Sequence, residues 1–186
     1  MVFKKRFSVD KTAYLASQAS YGSKKHHQQL NSMGYILDEE LSNDKTKVYH
    51  DRRSKHTVVS YRGTSVLDKK DLIADRDILI NNTKKNGDFK KAEEVYEKVQ
   101  SKYGDNVILT GHSLGGTKAN SVASKYGKKA VIFSPGTGIL TLQTPNAKVY
   151  SHKDDIIAQR IDKTDVLLKD EVFNPHSLSL YENIID

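Results

Sequence analysis

The segment with the clearest chemical meaning has the sequence Gly-His-Ser-Leu-Gly-Gly at residues 111–116. It contains the pattern G-x-S-x-G, in which a serine occupies a sharp turn between a strand and a helix. Residues 106–110 are typical of a buried strand, and residues 115–126 are compatible with a helix. A serine hydroxyl presented in this way can attack a carbonyl carbon. Ser113 is therefore the predicted nucleophile.

The same turn can also stabilise the negative charge that such an attack produces. The first N–H groups of a helix have no intrahelical acceptor, and the helix dipole favours an anion at this end. The N–H of Leu114, at the start of the predicted helix, is therefore the first expected oxyanion donor.

A nucleophilic serine requires a general base and an acid that orients the base, and in this type of fold they follow in the chain order serine, acid, histidine. Of the seven histidines, only His152 and His176 follow Ser113. No Asp or Glu occurs between residues 114 and 151, so His152 has no acid before it. The sequence around His176, Phe-Asn-Pro-His-Ser, suits a base presented from a loop. His176 is therefore the predicted base.

The acid is expected just beyond a strand that lies beside the nucleophile strand. Asp154 and Asp155 follow the predicted strand at 147–151, and both satisfy this condition. Two isoleucines directly after Asp155 favour its burial, and a buried carboxylate can orient an imidazole and fix its tautomer. Asp162 and Asp165 lie in a polar turn, where solvated carboxylates are the usual finding. These arguments favour Asp155 but leave Asp154 open.

The surrounding elements predict the scaffold that would position these residues. One helix is predicted from about Lys11 to Gln29, and an amphipathic helix from Phe89 to Tyr103. Three β-rich stretches between Tyr35 and Thr64 predict an antiparallel meander at a sheet edge. From residue 106 onwards strands alternate with helices, which implies parallel pairing. The predicted fold class is α/β, a mixed and mainly parallel sheet flanked by helices, and residues 1–186 are expected to form a single domain.

Composition and charge exclude several other classes of function. Without cysteine, the chain has neither a thiol nucleophile nor thiolate metal ligands. Its net charge of +7 comes mainly from lysines spread along the chain, so we expect peripheral contact with anionic membranes and no nucleic-acid partner. The basic N-terminus has no apolar segment after it, and no apolar run approaches the roughly 20 residues of a membrane span. We therefore expect a cytoplasmic or other intracellular location.

The region from about Ser60 to Ile157 resembles the class 3, fungal-type lipases of the α/β-hydrolase fold. The resemblance rests on Arg-Gly-Thr at 62–64, Asp-Leu-Ile-Ala-Asp at 71–75, the serine motif at 111–116 and Asp-Asp-Ile-Ile at 154–157. It implies an α/β-hydrolase sheet and a lipid or small ester substrate, with no organic cofactor and no metal.

The resemblance also bears on individual residues. It selects Asp155 as the acid and implies that the backbone N–H of Thr64 is the second oxyanion donor, beside Leu114. Ser113, His176 and Asp155 would then hydrolyse carboxylic esters through an acyl-enzyme. Two other functions stay open, because a fold and a triad do not fix the reaction. One is a non-catalytic hydrolase-fold protein that binds anionic membranes, and the other is a thioester hydrolase or acyl-transfer enzyme with the same triad.

Overall fold

A computed structural model describes residues 8–63, 87–136, 146–155, 164–169, 172 and 174–185. Within these segments four α-helices and seven strands occur, followed by a short 3-10 helix at Leu178–Tyr181. The helices are α1 (Val9–Ser20), α2 (Lys24–Met33), α3 (Asp88–Tyr103) and α4 (Leu114–Tyr126). The strands are β1 (Tyr35–Leu37), β2 (Thr46–Asp51), β3 (His56–Tyr61), β4 (Val107–His112), β5 (Lys129–Phe133), β6 (Ala147–His152) and β7 (Val166–Leu168).

The strands form one sheet in which the spatial order equals the chain order, β1 to β7. β1, β2 and β3 pair antiparallel, as the predicted edge meander requires. From β3 to β7 every pair is parallel. The predicted mixed and mainly parallel sheet is thus confirmed. None of the helices in the described segments is long and apolar enough to cross a bilayer.

Helices cover both faces of the sheet, so its central strands are buried on both sides. Alternate residues of a strand point to opposite faces. In β4, Ile108 belongs to the apolar cluster that contains α1, whereas Val107 and Leu109 belong to the cluster that contains α3 and α4. All six residues of β4 are buried as a result. The strand that leads to Ser113 is therefore the most enclosed part of the sheet, which makes it a rigid support.

Two predicted elements differ from the structure. The helix predicted from Lys11 to Gln29 is divided into α1 and α2, because Gly22 adopts a φ of 91° and Ser23 then begins a new helix as its N-cap. β7 and the 3-10 helix were not predicted, since three or four residues are too few to establish a hydrophobic period.

The parallel pairing brings the ends of several strands to one edge of the sheet. β3 ends at Tyr61, β4 at His112 and β6 at His152, and all three run in the same direction. The residues that follow these strands include Gly63, Ser113 and Asp155. Ligands of open α/β sheets bind at this carboxyl edge, so it is the place to look for a site.

Candidate active site

Ser113 lies on a one-residue turn between β4 and α4. Its φ of 56° and ψ of −130° lie outside the regions that residues with a Cβ normally occupy. Such a conformation costs on the order of 1–3 kcal/mol, and it persists only where the surroundings enforce it. Strained backbone of this kind is concentrated at functional sites, and it is the geometry expected of a serine in G-x-S-x-G.

The glycines around Ser113 are required by the close approach of backbone segments. A Cβ on Gly115 would overlap the carbonyl oxygen of Tyr61 and lie 2.8 Å from the N atom of Gly63. A Cβ on Gly111 would lie 2.5 Å from the carbonyl oxygen of Gly115. Contacts below 3.0 Å are essentially never seen for real Cβ atoms. The first turn of α4 can therefore lie against the end of β3 only if these positions carry no side chain.

His176 and Asp155 form a hydrogen-bonded pair at the same edge of the sheet. The Nδ1 atom of His176 lies 3.0 Å from Oδ1 and 2.9 Å from Oδ2 of Asp155, whose side chain is buried. A carboxylate can only accept, so Nδ1 carries a proton, and in the neutral form of the ring Nε2 then has the lone pair. Nε2 is buried and has no hydrogen-bond partner among the described residues. The ring is therefore in the tautomer that can accept a proton.

Ser113 and His176 are not hydrogen-bonded to each other in this structure, since Nε2 has no described partner. In enzymes without substrate, the bond between nucleophile and base is often long and forms only when substrate is bound. The serine hydroxyl and the imidazole are therefore suitable as nucleophile and base. The hydrogen bond between them would form when substrate binds.

The other candidate acids are placed differently. The side chain of Asp154 is 53% exposed, compared with 1% for Asp155, and its carboxylate lies 3.5 Å from the ammonium of Lys153. Asp165 accepts a hydrogen bond at 2.8 Å from the N–H of Val149 and so joins β6 to β7. Asp162 lies outside the described residues. Of the described alternatives, Asp155 is the one that the fold brings to His176.

The remaining candidate base, His152, is occupied in its own turn. Its Nδ1 atom accepts a hydrogen bond at 3.1 Å from the N–H of Asp154. This hydrogen bond thus stabilises the backbone turn that carries Asp155.

The helix start meets the condition for an oxyanion donor at Leu114. No described residue accepts a hydrogen bond from the Leu114 N–H, which lies at the first position of α4. The second predicted donor, Thr64, lies outside the described residues. Its neighbour Gly63 passes close to the nucleophile, since a Cβ on Gly63 would lie 3.3 Å from the Cβ of Ser113.

The segment after His176 is anchored by Tyr181, which the sequence analysis did not assign. Tyr181 is fully buried, and its hydroxyl shares a hydrogen bond of 2.7 Å with Ser134. Burial raises the pKa of Tyr181 well above its usual value, and the negative charge of Asp155 raises it further. The phenol therefore stays neutral and fastens the 3-10 helix beneath the pair of His176 and Asp155.

Two further unassigned residues, Tyr21 and His112, contact this edge. His112 lies beside Ser113 in sequence, and its Nε2 lies 2.8 Å from the carbonyl oxygen of His176. The Tyr21 hydroxyl is 3.1 Å from Nδ1 of His112, although Tyr21 precedes it by 91 residues. The position of His112 inside the serine motif could have drawn attention to it, whereas no local pattern marks Tyr21.

Within the described part of the chain, no group of three His, Asp or Glu side chains is placed to hold a metal ion. The reactive groups described at this edge are a serine hydroxyl, an imidazole, a carboxylate and the backbone N–H of Leu114.

Comparison with known folds identifies similar structures among fungal lipases. One, described as a fungal lipase, has a TM-score of 0.55 at 14% identity, with 91% of this chain and 81% of that chain covered. A mutant form of MDLA from Penicillium cyclopium gives a TM-score of 0.51 at 14% identity over the same shares. The Lip2 lipase of Yarrowia lipolytica gives 0.50 at 16% identity, covering 91% and 82%. At such identities these matches show the α/β-hydrolase fold and no more.

The sequence itself was compared with protein families and with curated proteins. No curated protein matches it. One family, described as phospholipase-like with a Tle-like phospholipase domain, matches residues 12–166. These residues make up more than half of the chain. The predicted resemblance to fungal-type lipases is confirmed at the level of the fold. The chain therefore belongs to the Tle-like phospholipase domain family and has a lipase-like α/β-hydrolase fold.

Proposed function

We propose that this protein is a serine hydrolase that cleaves carboxylic esters of lipids through an acyl-enzyme. The observation that carries the proposal is the hydrogen-bonded pair of His176 and Asp155, whose free Nε2 lone pair lies at the same sheet edge as the strained turn at Ser113. A buried pair of this kind has a cost in desolvation that a solvated surface pair would avoid. A role as base and orienting acid explains why it is present.

The proposed reaction begins with attack of the Ser113 Oγ on the ester carbonyl carbon. Nε2 of His176 takes the hydroxyl proton and then gives it to the leaving alcohol, which departs as the acyl-enzyme forms. A water molecule then attacks the acyl group, His176 takes one of its protons, and that proton returns to Ser113 Oγ as the carboxylic acid leaves. His176 takes up and releases one proton in each half of the reaction, and Ser113 regains from water the proton that it lost to the alcohol, so the enzyme is regenerated.

Charge stabilisation in this mechanism comes from fixed groups. Asp155 faces the imidazolium that forms on His176 at 2.9 Å, where burial of the carboxylate strengthens the attraction. The N–H of Leu114 donates to the oxyanion. The backbone N–H of Thr64 is the proposed second donor, on the basis of the resemblance to fungal-type lipases. Loss of one such donor usually lowers kcat by about 10²–10³.

The proposed substrate class rests on the family and on the charge of the molecule. The matching family is described as phospholipase-like, and a net charge of +7 attracts anionic lipid surfaces. We therefore propose lipid esters at such surfaces as the substrates, with peripheral membrane contact and no nucleic-acid partner.

The test compares two adjacent carboxylates and the nucleophile. We expect Ser113→Ala and Asp155→Asn to lower kcat on p-nitrophenyl esters by about 10³–10⁴. The matched control, Asp154→Asn, changes a carboxylate next to Asp155 in sequence that does not contact His176, and it should stay within about twofold of wild type. Rates would be measured at saturating ester, together with melting temperatures that verify folding.

Two results would contradict the proposal. Equal loss in Asp154→Asn and Asp155→Asn would remove Asp155 from its assigned role. A folded wild type that hydrolyses no ester of any acyl length, yet binds anionic vesicles, would favour the non-catalytic membrane-binding function instead.

A further inference from the structure

A line of hydrogen bonds runs across the site from the end of β3 to the loop that carries His176. The N–H of Gly63 lies 3.2 Å from the hydroxyl oxygen of Tyr21. That hydroxyl lies 3.1 Å from Nδ1 of His112, whose Nε2 lies 2.8 Å from the carbonyl oxygen of His176. Three hydrogen bonds therefore connect the residue before Thr64 with the backbone of the proposed base.

The donor and the acceptor of each bond in this line follow from the chemistry of the groups, and the carbonyl oxygen of His112 is a second, more distant acceptor for the Tyr21 hydroxyl at 3.4 Å. A carbonyl oxygen only accepts, so Nε2 of His112 must carry a proton and donate it to His176. In the neutral ring Nδ1 is then an acceptor, and the hydroxyl of Tyr21 is its donor. The Tyr21 oxygen accepts in turn from the Gly63 N–H, so every bond points towards His176.

The environment keeps both side chains in these protonation states. Burial, together with the neighbouring imidazole of His176, lowers the pKa of His112 to about 3, so the ring is neutral at neutral pH. Burial raises the pKa of Tyr21 to about 12, so its hydroxyl keeps its proton. Neither group acts as an acid or a base in the proposed reaction, and both are available for a fixed structural task.

We propose that Tyr21 and His112 are positioning residues, which hold the backbone of His176 at a fixed position relative to the turn that begins at Gly63. This inference rests on the function proposed above. The bond to the carbonyl oxygen of His176 constrains the base from its main-chain side, while Asp155 constrains its ring. The bond to Gly63 constrains the opposite wall of the site, and His112 itself is joined covalently to Ser113.

Neutrality of His112 also matters for the base. The two imidazole rings lie with their centroids 4.8 Å apart. A positive charge on His112 would repel the imidazolium that forms on His176 during the reaction and would oppose proton transfer. A buried histidine that donates through Nε2 and stays uncharged therefore supplies a hydrogen bond without this repulsion.

Removal of the Tyr21 hydroxyl tests the line at its centre. In Tyr21→Phe the ring stays in place, but the acceptor for Gly63 and the donor for His112 are both lost. We expect kcat on p-nitrophenyl esters to fall by roughly tenfold, with KM changed by less than about twofold, because ground-state binding is not altered. The matched control is Tyr49→Phe, which removes another tyrosine hydroxyl that is hydrogen-bonded to a histidine, at 3.2 Å from His27. It should retain the wild-type kcat.

Substitution of His112 provides a second variant with a conservative rescue. His112→Leu removes the donor to His176, whereas His112→Gln has an amide N–H that can replace it. We expect a clear loss of kcat in His112→Leu, and a kcat in His112→Gln that lies between those of His112→Leu and wild type. Equal activity of the two variants at equal melting temperature would overturn the role of the donor.

The tautomer of His112 can be measured independently of catalysis. Long-range ¹H–¹⁵N correlation spectra of the full chain at pH 7 should show a neutral ring with the proton on Nε2, assigned by its loss in His112→Gln. A proton on Nδ1, or a charged ring, would overturn the inference.

If wild type hydrolyses esters and Tyr21→Phe has the same kcat, the positioning role is wrong while the proposed function stands. An inert wild type contradicts the proposed function, and the spectra then still decide whether the hydrogen-bond line exists.

Discussion

At the scale of single residues, Gly115 determines whether α4 can approach the end of β3. Its Cα lies against the carbonyl group of Tyr61 and the N atom of Gly63, both of them backbone groups that no rotamer change can remove. A Cβ on Gly116 would lie 2.7 Å from Cγ2 of Ile132 and 3.1 Å from the carbonyl oxygen of Gly111. Both glycines are thus required by close approach, and the shortest contacts to backbone are those of Gly115.

We expect Gly115→Ala to lower the free energy of unfolding by about 3 kcal/mol, because the added methyl forces the backbone of α4 away from β3. Ester hydrolysis should also fall, since Ser113 moves with the helix. Urea denaturation would measure the stability. The control is Ser124→Ala, an exposed position of the same helix, which should change stability by no more than about 0.5 kcal/mol. A stable and active Gly115→Ala protein would contradict the steric account.

The same scale shows why some residues of the candidate site are marked in the sequence and others are not. Ser113 lies in a local pattern, and His176 could be selected by chain order and by the lack of acids between residues 114 and 151. Tyr21 could not be found, since its contact with His112 depends on how α1 crosses the sheet. Periodicity within one element carries no information about such contacts.

At the scale of elements, α1 is fixed to β4 by a buried polar contact as well as by apolar packing. The hydroxyl groups of Ser17 and Thr110 lie 2.9 Å apart, and Thr110 lies 2.7 Å from the carbonyl oxygen of Val131 in β5. Thr110 therefore donates to Val131 and accepts from Ser17. This bond sets the position of α1, whose C-cap residue is Tyr21. A helix at α1 and a strand at β4 were predictable from hydrophobic period, but this cross-link between them was not.

We expect Thr110→Val to lower the free energy of unfolding by about 2 kcal/mol, because it leaves the buried Ser17 hydroxyl without its acceptor. Ser17→Ala alone should cost about 1 kcal/mol, since Thr110 keeps its bond to Val131. In the double variant no unpaired Ser17 hydroxyl remains, so its loss should be smaller than the sum of the two single losses. Urea denaturation of all four proteins gives this coupling, and strict additivity would contradict it.

At the scale of the whole molecule, several histidines are held neutral by burial. Burial is the largest cause of a lowered pKa at His26, His50, His56 and His112. The unfolded chain has no such constraint, so as the pH falls it takes up protons before the folded protein does. A lowered pKa in the folded state therefore means that stability is present above the ordinary histidine value and decreases below it.

For His112 this window extends from the ordinary value of 6.5 down to about 3. Each pH unit within the window corresponds to about 1.4 kcal/mol, so wild type should lose about 2 kcal/mol between pH 6.5 and pH 5 through this residue alone. His112→Gln has no such titration, and its unfolding free energy should fall by that much less over the same interval.

Urea denaturation at half-unit steps of pH measures the unfolding free energy of both proteins, and the difference between the two curves at pH 8 gives the constant effect of the lost imidazole. Curves that stay parallel from pH 8 to pH 5 would mean that His112 takes up a proton as readily in the folded protein as in the unfolded chain. The assigned direction of its hydrogen bonds, from Tyr21 through the ring to His176, would then be wrong.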